Sequence, residues 1–122
     1  LEEALLELAD MWSIACHINF ELNDSLYDCF SDKPLATECA IEVINEAVTN
    51  AVKHGGADKV TVTGSQITYE LVEFVIQNDV KAVVKTTSAG LGTKIIEEAT
   101  QAFSSKLVNG QFVLTATIFL GQ

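Results

Sequence analysis

Several features that mark broad classes of protein are missing or scarce in this chain of 122 residues. All seven basic residues are lysines, and with 17 acidic residues they give a net charge of −10. Nucleic-acid binding draws much of its affinity from basic contacts to phosphates, so this charge balance argues against it. A nucleotide is not excluded, because a small anion responds to the local field rather than to the net charge.

The chain also lacks an apolar run approaching the roughly 18–20 residues of a membrane span, and these residues show no signal-peptide pattern. We therefore expect a cytoplasmic location and no direct membrane contact by this domain; an anchor of a parent protein in the inner membrane stays open. The three cysteines lack CxxC spacing. An odd count without a disulfide framework fits a reducing compartment.

The length predicts one domain over residues 1–122, and the hydrophobic content of 48% is enough for a compact core. The first residues have the spacing of a helix that is already under way. We therefore expect a domain excised from a longer protein, and we expect the isolated domain to be monomeric.

Hydrophobic spacing predicts elements in the order α-β-α-β-β-α-β-β. Tight turns between strands imply a mixed, largely antiparallel sheet, and three helices can cover one of its faces, which defines a two-layer α/β sandwich (α+β). Turn-like sequence is predicted at 23–33, near Gly64-Ser65 and at Asn109-Gly110. The predicted helices are 1–12, 34–54 and about 91–104; the predicted strands are 13–22, 58–64, 67–77, 106–109 and a last one with Phe112, Leu114, Ala116, Ile118 and Leu120 on one face.

The helix predicted over 34–54 carries an unusual polar group beside its apolar stripe. Asn50 lies about 40° from Glu46 around the helix and Lys53 about 20° beyond Glu46, with His54 at the edge of this wedge. An amide oxygen and a neighbouring carboxylate suit Mg²⁺, which keeps several waters when it binds phosphates. Lysine and histidine can contact phosphate oxygens. The alternative is a solvated helix face with charge pairs one turn apart.

A second candidate group is the segment TSAGLGTKIIEE, residues 87–98. Gly90, Leu91, Gly92 and Thr93 lead directly into the predicted helix. Glycines let backbone N–H groups approach an anion, and a helix start favours negative charge. The alternative is a glycine hinge before a helix.

A third candidate is the segment VIQNDV, residues 75–80, where Asn78 and Asp79 follow a strong strand pattern. Either side chain could reach a cavity between the sheet and the helices. Ordinary turn chemistry is the alternative, because Asn and Asp are common where strands end.

Together these segments resemble the GHKL ATPase superfamily, which is named for gyrase, a heat-shock chaperone, histidine kinases and a mismatch-repair protein. NEAVTNAVKHGGADKVTV, residues 45–62, is similar to the N-box of bacterial two-component sensor histidine kinases. SAGLGTKIIEE resembles their second glycine box, and NGQFVLTATIF resembles their closing strands. The element order also fits, and the resemblance covers about residues 1–120.

The resemblance implies ATP and Mg²⁺ as cofactors. It implies that Asn50 coordinates Mg²⁺, that Glu46 is catalytic and polarises water or assists the phosphoacceptor, and that Lys53 and His54 lie near the phosphates. It further implies a lid over residues 79–90, with Gly90, Leu91, Gly92 and Thr93 near the phosphates.

The chain departs from the family at its first glycine box, which usually reads Asp-x-Gly. Aligned strand ends put Asn78 at the position of the aspartate that binds the adenine amino group, and Val80 at the position of the glycine. Asn78 can accept from that amino group through its carbonyl oxygen, without a charge. Asp79 is the alternative acceptor if the strand ends one residue later.

The implied partners are a phosphoacceptor histidine on a dimerising hairpin of the parent kinase and a downstream response regulator. This domain is not expected to autophosphorylate without that hairpin. Two alternatives stay open: a degenerate module for nucleotide sensing or protein interaction, and an anti-sigma-factor serine kinase with the same fold.

Overall fold

The computed structural model describes residues 1–80, 100 and 102–121. Its helices and strands, in chain order, are α1 (Glu2–Trp12), β1 (His17–Glu21), α2 (Asp24–Cys29), α3 (Pro34–Gly55), β2 (Lys59–Thr68), β3 (Leu71–Asp79), β4 (Ala102–Val108) and β5 (Gln111–Phe119).

The strands form one five-stranded sheet in the order β1-β2-β3-β5-β4. β1 and β2 are parallel, and the other three neighbouring pairs are antiparallel. Parallel strands need a long crossover, which α2 and α3 supply between β1 and β2. The predicted mixed, largely antiparallel sheet is confirmed.

The described helices pack on one face of this sheet. α1 contacts β1 and α3, α2 contacts β2, and α3 lies across β2, β3 and β5. The buried strand residues beneath them alternate mostly with partly exposed ones, as a sheet with one covered face requires. The predicted two-layer sandwich is therefore confirmed. Its core lies between the apolar stripe of α3 and the covered face of the sheet. The buried strand residues of this core are Val60, Val62, Val72, Phe74, Ile76, Leu114, Ala116 and Ile118.

The long helix α3 begins and ends close to its predicted bounds. Pro34 occupies its first turn, where the missing N–H costs no hydrogen bond. Gly56 follows it at φ 63°, and the N–H groups of Gly56 and Ala57 both donate to the Ala51 carbonyl. A left-handed glycine with these hydrogen bonds is a stable helix end. Within the ranges described, none of the helices is long and apolar enough to cross a membrane.

The strand predicted over 13–22 is wrong at its start. Ser13, Ala15 and Cys16 donate backbone hydrogen bonds to Asp10 and Trp12, which prolong the turn after α1, and β1 begins only at His17. The Ile14 side chain is fully exposed. Alternating apolar residues at 14 and 16 therefore extended the strand pattern into a turn.

The segment 23–33, predicted as turn-like, contains the short helix α2. The Asn23 side chain caps it by accepting a hydrogen bond from the Leu26 N–H at 2.9 Å. Leu26 and Phe30 are buried, and the Phe30 ring lies 5.9 Å from that of Phe74 on β3. The mostly polar segment 23–33 therefore contributes two core residues, Leu26 and Phe30, which are spaced four apart as on a helix.

Two further boundaries differ from the prediction. β2 continues through Gly64 to Thr68, so the β2–β3 turn lies at Tyr69-Glu70 instead of Gly64-Ser65. The predicted helix over 91–104 is wrong at its end, because β4 already covers 102–104. The rest of that predicted helix lies outside the described residues.

The Asn109-Gly110 turn is confirmed, with both residues at positive φ, as tight hairpins favour.

Gly64 is needed for α2 to pack against the sheet. A Cβ at this position would lie 2.9 Å from a Leu26 methyl, 3.1 Å from a Leu22 methyl and 3.2 Å from the Phe74 ring. We predict that Gly64→Ala lowers the free energy of unfolding by about 1–3 kcal/mol, because overpacking displaces buried groups. Urea denaturation tests this, with the exposed neighbour Ser65→Ala as the control; equal stability of the two variants would contradict it.

The buried Cys16 makes stability sensitive to alkaline pH. Burial, and secondly the charge of Asp58, raise the pKa of the Cys16 thiol above its ordinary 9.0. The unfolded chain ionises first, so this contribution is intact below pH 9.0 and is lost as pH rises toward the folded-state value. We predict a shallower loss of urea stability above pH 9 for Cys16→Ala than for the unaltered chain. Parallel pH profiles would contradict this assignment.

Candidate functional site

The polar wedge of α3 lies on the flank of the helix that α1 does not cover. On the other flank, the Trp12 indole donates to the Asn45 side-chain oxygen at 3.4 Å and ties α1 to α3. Asn50 is five residues further on, which places it about 140° around the helix from Asn45. Glu46 and Asn50 are half-buried there, and Lys53 and His54 are exposed. Because α3 is continuous from Pro34 to Gly55, these four residues lie on one side of the same helix, as predicted.

These four side chains are free to engage a ligand. Considering only the part of the chain that the structure describes, no side-chain hydrogen bond or ion pair engages Glu46, Asn50, Lys53 or His54. The alternative of charge pairs one turn apart is thus absent from the described contacts. Half-buried Glu46 and Asn50 keep oxygen atoms that are available as hydrogen-bond acceptors or metal ligands.

Asn78 lies at the end of β3 and faces the helices. It is 5% exposed and is the one buried polar or charged side chain among the described residues. Its Nδ2 donates to the Asp79 carbonyl at 3.1 Å. Among the described residues, no hydrogen bond to its Oδ1 is found and no buried side-chain oxygen or nitrogen lacks a partner, so Oδ1 retains access to solvent. A nearly buried amide with an unpaired acceptor is the arrangement that a bound ligand can complete.

The ends of α3 and β3 meet at Gly55 and Asn78. A Cβ on Gly55 would lie 3.4 Å from Asn78 Nδ2 and 3.9 Å from the Asp79 carbonyl oxygen. Lys53 and His54 immediately precede this contact, and Asn50 lies about 7–8 Å back along the helix axis. The structure therefore brings two separately predicted segments to the same end of the sheet.

Asp79 lies on the opposite face of the sheet from Asn78. Its Oδ1 accepts a hydrogen bond from Gln111 Nε2 at 3.1 Å. Together with Lys59, Thr61, Gln77 and Asn78, these two residues line a shallow depression of about 130 Å³. The strand does run on to residue 79, but its alternation directs the carboxylate away from α3. The geometry favours Asn78 over Asp79 as the acceptor near the α3 wedge.

The glycine-box residues Gly90, Leu91, Gly92 and Thr93 lie outside the described residues. Their predicted role near phosphates stays a prediction. Among the residues described, no group of three or more His, Cys, Asp or Glu side chains could hold a metal ion by itself. Asn50 and Glu46 suit a cation that takes its other ligands from water and a bound phosphate, as Mg²⁺ does.

The structure adds two neighbours of Asn78 that sequence spacing does not reveal. Gly55, predicted as a helix end, also provides the close contact with Asn78. Phe112 shares the predicted face of the last strand with Leu114, and the structure shows in addition that it is 36% exposed and is the cross-strand partner of Asn78. The signal for Phe112 is the strand register, which sequence spacing alone does not provide.

The whole arrangement, a five-stranded mixed sheet with α3 across its centre, is the fold of histidine-kinase catalytic domains. The histidine kinase domain of the blue-light-activated kinase EL346 from Erythrobacter litoralis aligns with a TM-score of 0.71 and 14% identity, over 98% of this chain and 60% of that one. The nucleotide-free catalytic domain of histidine kinase ThkA aligns with a TM-score of 0.64 and 16% identity, over 98% and 93%.

A structure of full-length ShkA in complex with AMPPNP aligns with a TM-score of 0.65 and 20% identity. The alignment covers 98% of this chain but 30% of ShkA, so the present chain corresponds to a part of that protein. No protein-family model and no curated protein sequence matches this chain.

Proposed function

We propose that this chain is the ATP-binding catalytic domain of a sensor histidine kinase in two-component signalling. The observation that carries the proposal is Asn78, a buried amide whose Oδ1 has no partner among the described residues and lies where β3 meets the end of the helix bearing Glu46 and Asn50. The fold shared with histidine-kinase catalytic domains supports it, as does the AMPPNP complex of ShkA.

Each group at the junction has a role in this proposal. Asn78 Oδ1 accepts a hydrogen bond from the adenine amino group. Asn50 supplies an amide oxygen to Mg²⁺, and Glu46 positions or polarises water beside it. Lys53 and His54 contact phosphate oxygens. The predicted lid and glycine box complete the phosphate side in this proposal; Asp79, the first residue of the predicted lid, belongs to β3, and the lid and glycine-box residues 81–93 lie outside the described residues.

The electrostatics of α3 favour a metal-bound nucleotide over a free one. Asn50 and Lys53 lie in the last two turns of the helix, where the backbone dipole presents partial negative charge. A cation is stabilised there, whereas a bare polyphosphate is repelled by the partial negative charge of the helix end. Binding is therefore expected to depend strongly on Mg²⁺.

The proposed reaction donates the ATP γ-phosphate to a histidine on the dimerising hairpin of the parent kinase, and a response regulator then receives it. The domain contributes positioning and charge neutralisation, which are the main protein contributions to phosphoryl transfer. A serine kinase acting on an anti-sigma factor would use the same nucleotide site with a different acceptor.

One observation favours a second candidate, a non-catalytic nucleotide-sensing or protein-interaction module. Asn78 is neutral, and hydrogen bonds to a neutral acceptor are weaker than those to a carboxylate by on the order of 1 kcal/mol. Val80 also stands where the resemblance implies a glycine. Weak or absent ATP binding would support this candidate.

Asn50→Ala tests the metal role, with Asn45→Ala as a matched control on the opposite flank of the same helix. We predict Mg²⁺-dependent ATP binding by the unaltered chain with a micromolar Kd, at least a tenfold loss in Asn50→Ala, and little change in Asn45→Ala. The reason is that Asn50→Ala removes a proposed Mg²⁺ ligand. Asn45→Ala removes only the hydrogen bond with the Trp12 indole. Calorimetric titration with ATP, with and without Mg²⁺, is the measurement.

Two results would count against the proposal. Equal affinity of Asn50→Ala and the unaltered chain would remove the metal role from Asn50. No binding of Mg²⁺-ATP up to millimolar concentration would reject the kinase assignment in favour of an interaction module.

A further inference from the structure

The strand β4 lies at one edge of the sheet, and β5 is its one partner among the described strands. The β4–β5 register is unbroken from Ala102 to Val108, so no β-bulge twists this edge away. β4 contains no proline, and its one charged residue is Lys106. Natural proteins use bulges, prolines and charges to prevent edge strands from pairing with other chains. β4 carries few of these features and is therefore an open edge.

The hairpin turn determines which backbone groups of β4 face outward. A two-residue turn at Asn109-Gly110 makes Val108 and Gln111 a hydrogen-bonded pair. Hydrogen-bonded and non-hydrogen-bonded pairs alternate along an antiparallel ladder, so every second residue of β4 bonds to β5. The intervening residues direct their N–H and C=O groups away from β5, and within the described part of the chain no hydrogen bond engages those groups. These outward-facing residues are Phe103, Ser105 and Leu107.

The charge distribution makes this edge a favourable place for a second copy of the chain. Residues 99–122 contain no Asp or Glu, although the whole chain has 17 acidic residues and a net charge of −10. A second copy that approaches the β4–β5 hairpin therefore meets no carboxylate on either strand, whereas a net charge of this size repels identical chains elsewhere. The opposite edge strand, β1, has only five residues and ends at Glu21.

The β4 sequence is complementary to its own image when two copies pair antiparallel about Ser105. In this register Ser105 faces Ser105 of the second copy, and Phe103 faces Leu107 on both sides of it. Every outward N–H and C=O group of these three residues then has a partner. The two Phe103–Leu107 contacts are aromatic–aliphatic pairs of the kind that stabilise sheets. Pairing centred on Lys106 would instead oppose two like charges, which is destabilising.

We propose that β4 is a self-association edge, on which a second copy of this chain adds its own β4 antiparallel and joins the two sheets into one. The pairing is isologous and closed, because each copy uses the same edge and leaves none of it for a third. The monomer expected from the sequence is then the state at low concentration. This inference goes beyond the proposed function and does not depend on it, because β5 separates β4 from the α3–β3 junction.

The dimer is expected to be weak. Two short edge strands bury less surface than the roughly 1,200–2,000 Å² of standard interfaces, so we expect a Kd on the order of 100 µM. Sedimentation equilibrium of the chain, from micromolar to millimolar concentration, measures the rise in mass from monomer to dimer.

The chain offers a charge-swap test at the two-fold axis. Ser105→Lys and Ser105→Glu each oppose two like charges, and each is expected to weaken the dimer at least about tenfold. An equimolar mixture of the two variants opposes unlike charges and is expected to restore a dimer. Ser65→Lys is the matched control, because it makes the same change at an exposed serine of β2, a strand that is paired on both sides. It is expected to dimerise like the unaltered chain.

Four results would overturn the inference. A chain that stays monomeric to millimolar concentration would remove the self-association, and a mass above that of a dimer would contradict the closed pairing. Equal dimerisation of Ser105→Lys and Ser65→Lys would place the interface elsewhere. A mixture of Ser105→Lys and Ser105→Glu that stays monomeric, with both variants folded by circular dichroism, would reject the two-fold register.

The same variants separate this inference from the proposed function. Ser105→Lys is expected to bind Mg²⁺-ATP in calorimetric titration with the affinity of the unaltered chain. Loss of the dimer without loss of ATP binding is the expected result, and loss of both together would contradict an edge that is independent of the nucleotide site.

Discussion

The close contact between the end of α3 and the end of β3 holds the candidate site together. A Cβ on Gly55 would lie 3.4 Å from the Asn78 amide nitrogen, which is van der Waals contact, so the two elements pack directly against each other at this point. Because Gly55 sits one or two residues after Lys53 and His54, the contact fixes the distance between the α3 wedge and the buried amide. The apolar stripe of α3 and the even-numbered residues of β3 supply the packing that maintains it. Without this contact, the wedge and Asn78 would belong to separate surfaces.

The neutral amide at position 78 fits its surroundings in a way that a carboxylate would not. Its nitrogen donates to the Asp79 carbonyl, and a carboxylate oxygen in that place would face another acceptor. The chain already carries a net charge of −10, and the end of α3 adds partial negative charge. A neutral acceptor avoids a further repulsion toward a polyphosphate. In the proposed function the cost is a weaker hydrogen bond to the base.

Sequence reasoning found α3 and its polar wedge because local signals mark both ends of the helix: Pro34 at its start and two glycines after its stripe. It could not choose between Asn78 and Asp79, since the choice depends on which way β3 faces, and that is set by pairing with β2 and β5. The helix α2 escaped detection because six residues with one buried side chain show no readable period. Local sequence predicts a turn at Gly64, whereas the structure shows a strand residue whose missing side chain admits Leu26 and Phe74 from two other elements. Local sequence signals thus predicted the bounds of α3. The facing of β3, the helix α2 and the role of Gly64 depend on tertiary contacts, which those signals do not contain.

The central claim is that nucleotide binds on the helix-facing side of the sheet at the junction of α3 and β3. Backbone amide chemical shifts of the ¹⁵N-labelled chain, recorded with and without saturating Mg²⁺-ATP, test it most directly. The account predicts the largest described shifts at Gly55, Asn78 and Phe112, and little change at Thr63, Thr115 and Thr117, which lie on the opposite face. Shifts concentrated at those threonines, with Gly55 and Asn78 unaffected, would contradict it.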